Sequence, residues 1–143
     1  MELPWIEAQS AVRPIEARIE NVAISALSAL LSELDSKGCS VTSIGVVGSP
    51  DRNLERIGNP HIRAHAAEGI LFRRVLEVAA TTHKLRWRGF PDKDFEKLAV
   101  SELGRTPQQI KLALATMGHS AGAPWRVDER AAATAAWLTL PRA

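Results

Sequence analysis

The sequence has one cysteine, Cys39, no tyrosine, and few aromatic side chains, which make up 5% of its 143 residues. A single cysteine excludes an internal disulfide, and a chain of this length without disulfides is typical of a reducing compartment. No apolar run approaches the roughly 18 to 20 residues that span a bilayer, so we expect no membrane partner. The start of the chain also lacks the features of a signal peptide. These absences predict a cytoplasmic protein.

The apolar fraction of 45% is ordinary for a globular protein, and a chain of this length can bury one core. We therefore predict a single domain over residues 1–143. Residues 1–13 fit either a short strand or an arm. Apolar residues at helical spacing predict helices from Pro14 to Gly38 and from His61 to Ala80.

The most informative stretch is an apolar strand, Val41–Val47, and the polar loop Gly48–Pro60 that follows it. A loop of this length in a small domain usually has a function. Open α/β sheets bind their ligands beyond the carboxyl ends of their strands. The loop carries Arg52, Asn53 and Arg56, whose side chains suit phosphates and base edges. The sequence therefore predicts a ligand site in this loop.

Positive charge is concentrated in this loop and in the segment after it. Residues 51–88 carry eight basic and four acidic side chains, a net charge of +4, whereas the whole chain carries +2. A local basic excess favours anionic partners, and the alternative is an ordinary solvated surface. Strict alternation predicts a strand with Lys84, Arg86 and Arg88 on one face. The alternative for that face is an edge strand protected from aggregation by its charges.

Helix-capping residues mark three further helices. Thr106, with Pro107 and Gln109 after it, fits a capping box, and Asp92 and Asp128 are suitable N-caps. The first predicted helix follows Asp92 and ends before Gly104. The second begins at Thr106 and ends at Gly118, and the third runs from Glu129 to Leu140 with Asp128 as its cap.

Three other sets of residues invite a chemical interpretation. His61, His65 and Glu68 share one helix face, and histidines four residues apart can bind a metal together. No fourth ligand is in view, which favours solvated or packed histidines. Cys39 has no histidine or aspartate near it in sequence, so we expect a small core residue. The tryptophans are expected to anchor the core or an interface.

Three segments resemble RuvC-type Holliday-junction resolvases of the ribonuclease H-like superfamily. Pro14–Val47 resembles a leucine-patterned helix that leads into that family's central strand. Arg105–Lys111 resembles the start of the family's next-to-last helix, and Val127–Ala133 resembles the start of its final, acid-bearing helix. The resemblance implies a ribonuclease H-like α/β fold with a small central sheet flanked by helices, abbreviated at its N-terminus.

The activity that this resemblance implies is phosphodiester hydrolysis by about four carboxylates that hold Mg²⁺. Asp128 matches one of them, and Glu129 could partly replace a second. The central strand, however, ends in Val46-Val47 where the family has an acid. A nuclease would therefore use Asp128 and Glu129 as metal ligands, with an acid from Asp51 or Glu2.

Three functions remain open, and they differ on whether the protein is an enzyme. The first is a non-catalytic domain that binds DNA or RNA without a cofactor. The second is a structure-specific nuclease with Mg²⁺, in which Asp128, Glu129 and Asp51 are catalytic. The third is a homodimeric protein-interaction module. The predicted nucleic-acid contacts are Arg52, Asn53, Arg56, Arg63, Lys84, Arg86 and Arg88.

Overall fold

The computed structural model describes residues 5–48 and 52–141. Its elements in chain order are α1 (Trp5–Ser36), β1 (Ser43–Gly48), a 3₁₀ turn (Leu54–Arg56), α2 (Pro60–Thr82), β2 (Arg86–Pro91), α3 (Phe95–Leu103), α4 (Pro107–Ala121) and α5 (Val127–Thr139). Helix, with the 3₁₀ turn, accounts for 71% of the described residues, and β1 and β2 form a two-stranded parallel sheet. The predicted ribonuclease H-like α/β fold is therefore wrong, because the described chain is mostly helical and two strands do not make a central sheet layer.

The chain divides into two compact units. The first contains α1, the 3₁₀ turn and α2, and the second contains both strands with α3, α4 and α5.

Helix α1 runs through Pro14 instead of beginning near it. A proline inside a helix cannot donate to the carbonyl four residues earlier, here that of Ser10. Ser10 is exposed, so water can satisfy this carbonyl. The residues before Pro14 include strong helix formers such as Ala8 and Ala11. The strand or arm predicted over residues 1–13 is therefore helix from Trp5 onward, and residues 1–4 lie outside the described part.

In the first unit, α1 and α2 pack side by side and run in the same direction. Arg74 Nη2 donates to Glu16 and Glu20 at 3.1 Å each, and His83 Nε2 bonds the Ile24 carbonyl at 3.0 Å. Later residues of α2 thus meet later residues of α1. The core of this unit is thin, because among its described side chains only three on α2 are buried and none on α1 is.

The second unit has the larger apolar core. The rings of Phe90 and Phe95 lie 5.4 Å apart between centroids. Helix α5 packs closely on β1, because a Cβ atom on Gly45 would lie only 2.6 Å from the carbonyl carbon of Ala135. The buried residues of this core are Phe90, Phe95, Ala99, Ile110, Leu114, Ala135 and Leu138.

The predicted capping box is confirmed at the start of α4. Thr106 Oγ1 accepts from the Gln109 amide at 3.2 Å, and Gln109 Oε1 accepts from the Thr106 amide at 2.9 Å. Two other predicted boundaries are wrong. Asp94 precedes α3 in place of Asp92, and α4 continues past Gly118, where the absence of a side chain makes room for the indole ring of Trp125.

Candidate nucleic-acid interface

Two asparagine side chains order the loop between β1 and α2. Asn53 Oδ1 accepts from the Glu55 amide at 3.1 Å and caps the 3₁₀ turn. Asn59 Oδ1 accepts from the amides of His61 and Ile62 at 3.0 and 3.2 Å and caps α2. The side-chain oxygen of Asn53 is therefore already engaged in holding the loop, although we predicted a nucleic-acid contact for this residue.

Arg63 fastens the same loop to α2. Its Nε and Nη2 atoms both donate to the Ile57 carbonyl oxygen, at 2.8 and 2.6 Å. The residue is partly buried, so this guanidinium acts first as a clamp that fixes the loop.

Arg52 and Arg56 are the exposed cations of this loop. Neither forms an ion pair with another residue in the described part of the chain. Arg52 lies before the 3₁₀ turn and Arg56 ends it, a few residues before the N-terminus of α2, where the helix dipole adds partial positive charge. The loop Gly48–Pro60 carries two arginines and two acids, Asp51 and Glu55, so its formal net charge is zero. What distinguishes it is that both guanidinium groups are exposed.

The predicted basic strand is shifted. β2 begins at Arg86, and Lys84 lies before it in a turn with a φ of 57°. Side chains alternate along a strand, so Arg86 and Arg88 share their face with Phe90, which is buried. The predicted row of three cations on one strand is therefore wrong in its extent, because Lys84 lies outside the strand, whereas Arg86 and Arg88 are both exposed on it.

Arg88 is neutralised by an acid on α3. Its Nη1 and Nη2 atoms donate to the two carboxylate oxygens of Glu102 at 2.8 and 2.5 Å, and its guanidinium lies 4.6 Å from the centroid of the Phe90 ring. These hydrogen bonds raise the pKa of Arg88, so the pair stays ionised but carries no net charge. Sequence reasoning missed Glu102 because it lies 14 residues further along the chain.

The exposed candidate cations fall into two groups at opposite ends of α2. Arg52 and Arg56 precede this helix, whereas Lys84 and Arg86 follow it. Because α2 has 23 residues, the helix between the two groups is about 34 Å long. These four cations therefore do not form one surface.

Asp128 and Glu129 lie in the first turn of α5 but have different environments. Glu129 Oε2 accepts from the Arg126 amide at 2.7 Å and so closes the N-terminus of the helix. The prediction that Asp128 caps this helix is therefore wrong. Asp128 is exposed and has no hydrogen-bond partner among the described residues. Asp51 and Glu2, which were predicted to join it, lie outside those residues.

The packing of α5 against β1 determines where Asp128 lies along the length of the strand. Ser43 Oγ donates to the Thr139 carbonyl at 3.3 Å, and Gly45 lies against Ala135, so the strand and the helix run in opposite directions. From Gly45 to the end of β1 the strand rises about 10 Å, and from Ala135 back to Asp128 the helix rises about the same. Asp128 therefore lies level with the carboxyl end of β1.

The described residues do not fit a two-metal centre. Within residues 5–48 and 52–141, no three histidine, cysteine, aspartate or glutamate side chains come close enough together to hold a metal ion. At the start of α5, Asp128 is the one carboxylate that remains uncommitted. The rings of His61 and His65 make an edge-to-face contact at 4.5 Å, and His65 Nδ1 lies 3.5 Å from Glu68 on the exposed surface of α2.

Cys39 is free and exposed, which corrects the predicted core position. The chain turns at Gly38, where φ is 75°, and this turn places the thiol outside α1.

Among the tryptophans, Trp137 packs against the core as expected, but Trp87 is 42% exposed.

Comparisons with known protein families, with curated proteins and with solved structures find no match. Over the described residues, no helix combines the length and the apolar character that crossing a membrane requires.

Proposed function

We propose that this protein binds nucleic acid without cutting it, through the phosphate backbone and the loop that precedes α2. The observation that carries the proposal is the pair of exposed arginines, Arg52 and Arg56, on a loop whose shape is held by Asn53, Asn59 and Arg63. Guanidinium groups bind phosphate oxygens with paired hydrogen bonds.

The order of this loop supports the proposal on energetic grounds. Fixing a flexible backbone residue costs about 1 to 2 kcal/mol of conformational entropy. Here the 3₁₀ turn and the Arg63 clamp have already fixed the backbone between Arg52 and Arg63. Binding therefore has to order little more than two arginine side chains.

The number of free cations sets the expected strength of nucleic-acid binding and its dependence on salt. Two phosphate contacts give a slope of about −1.8 for the logarithm of the binding constant against the logarithm of the salt concentration. Contacts of this kind position a protein but do not recognise sequence. We therefore expect weak binding that is insensitive to sequence and is lost at high salt.

The test compares two double variants that remove the same charge. Arg52→Ala/Arg56→Ala should weaken binding to a fluorescent DNA or RNA by about tenfold or more at low salt. Lys84→Ala/Arg86→Ala, which removes two cations at the other end of α2, is the matched control and should bind nearly as well as the wild type. An equal loss in both variants would show that net charge, not this loop, drives binding.

A second candidate is Mg²⁺-dependent cleavage of nucleic acid, as the resemblance to RuvC-type resolvases implies. It is favoured by the position of Asp128, exposed and level with the carboxyl end of β1. Since one free carboxylate does not make a metal centre, we assign no catalytic step. Incubation of branched DNA with Mg²⁺, using Asp128→Asn and the control Asp35→Asn on α1, decides the matter: cleavage that only Asp128→Asn abolishes would replace our first proposal. For either function we propose a cytoplasmic location, which the single cysteine supports.

A further inference from the structure

The second unit has an open cavity where two of its helices end. Helix α3 ends at Leu103, Gly104 turns the chain with a φ of 60°, and α5 ends at Thr139. The cavity at these ends measures about 400 Å³, which lies within the range of about 300 to 1,000 Å³ that small-molecule sites occupy. We call it the α3–α5 cavity. Its lining includes Glu102, Leu103, Arg105, Trp137, Leu138 and Leu140.

Trp137 supplies the aromatic wall of this cavity. Its indole packs against the core of the second unit and also lines the cavity, so the core holds the ring in place. Leu103, Leu138 and Leu140 extend the apolar part of the lining. A held indole with apolar side chains around it suits a planar ring, because bases stack on aromatic side chains of this kind.

Arg105 is the charge that remains available in the cavity. Its guanidinium lies 5.5 Å from the centroid of the Trp137 ring, near the limit of about 6 Å for a cation–π contact. Arg105 is exposed and forms no ion pair with another described residue. The carboxylate in the same lining, that of Glu102, already accepts from Arg88 with both oxygens. The free charge of the cavity is therefore positive and lies next to an aromatic ring.

We propose that the α3–α5 cavity binds one unstacked nucleotide, whose base packs on Trp137 and whose phosphate accepts hydrogen bonds from Arg105. The ends of α3 and α5 supply acceptors for the amino groups of a base, because carbonyl groups in the last turn of a helix have no helical partner. An anion without a ring would meet only the partial negative charge of these helix ends beside Arg105. A ring without a phosphate would leave Arg105 without an anionic partner.

The choice of a nucleotide as ligand rests on the proposed function, and it adds a preference that the loop arginines do not give. Phosphate contacts at Arg52 and Arg56 carry no information about bases. The bases of a duplex are stacked on one another, and extruding one of them costs free energy. An unpaired base reaches Trp137 without this cost, so we expect the cavity to favour single strands or free nucleotides over duplexes.

Titration of the ¹⁵N-labelled full chain with adenosine monophosphate, followed by NMR, tests the cavity directly. The chain has four tryptophans, and the indole N–H signal that is missing from Trp137→Leu is that of Trp137. If this variant does not fold, Trp137→Phe assigns the signal instead. The nucleotide should shift the Trp137 signal and leave that of Trp87, which does not line the cavity, in place. A Trp137 signal that does not move at about 10 mM nucleotide, where even millimolar affinity would saturate the site, overturns the proposal.

Arg105→Ala separates the phosphate contact from the base contact. The wild type should bind adenosine monophosphate about fivefold or more tightly than adenosine, because hydrogen bonds between charged groups are strong. In Arg105→Ala the two ligands should bind equally. Lys111→Ala is the matched control, since Lys111 is an exposed cation on α4 outside the cavity lining, and it should keep the wild-type ratio. A ratio that Arg105→Ala leaves unchanged contradicts the phosphate contact.

Fluorescence anisotropy with a short single strand and with its duplex identifies the source of the nucleotide. If the nucleotide belongs to a strand, Trp137→Leu should weaken single-strand binding by about fivefold or more and leave duplex binding unchanged. If single-strand binding is unchanged while adenosine monophosphate shifts the Trp137 signal, the occupant is a free nucleotide. A chain that binds no duplex but shows this shift loses the proposed function and keeps the cavity site, so the two failures are distinguishable.

Discussion

The arginines show how far residue type alone falls short of function. Arg63 clamps a loop through the Ile57 carbonyl, Arg88 is neutralised by Glu102, and Arg52 and Arg56 remain exposed. The sequence predicted all four as phosphate contacts, because the composition of a segment does not show which cations already have partners. The partner of Arg88 lies on a different element, so local spacing could not identify it.

The cap that Asn59 forms at the start of α2 leads to a prediction about the stability of the protein. Its side chain accepts two helix amides, and removal of such a cap typically costs about 1 kcal/mol. Asn59→Ala should therefore lower the free energy of unfolding by about 1 kcal/mol in urea titration.

Asn21→Ala is the control for this prediction. Asn21 is exposed within α1, and alanine is the better helix former. The control should leave the free energy of unfolding unchanged or raise it slightly. If both variants lower it equally, Asn59 does not act as a cap.

At the scale of elements, boundaries set by neighbouring residues were predictable and boundaries set by packing were not. The capping box at Thr106 involves groups only three residues apart, and Gly104 ends α3 in the left-handed conformation, with a φ of 60°. The start of β2 and the end of α4 differ from the predictions, because Lys84 lies in a turn with a φ of 57° and Trp125 packs against Gly118, seven residues earlier. Residue type alone indicates neither the turn at Lys84 nor the packing of Trp125.

The packing of α5 on β1 gives a prediction at this scale. A methyl group at Gly45 would overlap the backbone and Cβ of Ala135 at 2.6 to 2.8 Å, and overpacking of this kind costs about 1 to 3 kcal/mol. Gly45→Ala should lower the free energy of unfolding by that amount.

Gly58→Ala provides the matched control, because a Cβ atom there meets nothing within 4 Å. It should leave the free energy of unfolding nearly unchanged. Equal stability of the two variants in chemical unfolding would contradict the close approach of α5 to β1.

At the scale of the whole molecule, the error in fold class has a definite cause. The predicted sheet needed strands besides β1 and β2, and the segment before Pro14 was the available source. That segment is helix from Trp5 onward, so two strands remain in the described chain. The sequence predicted these helical segments. The resemblance to the ribonuclease H-like superfamily nevertheless led us to expect a central sheet.

The most direct test of the central claim is the salt dependence of nucleic-acid binding. The binding constant for a short duplex is measured by fluorescence anisotropy between about 20 and 200 mM salt, a range over which phosphate contacts weaken strongly. We predict a slope of about −1.8 for the wild type and for Lys84→Ala/Arg86→Ala, and a slope near zero for Arg52→Ala/Arg56→Ala. A wild-type chain that does not bind at the lowest salt, or a slope that the loop variant leaves unchanged, would contradict the account.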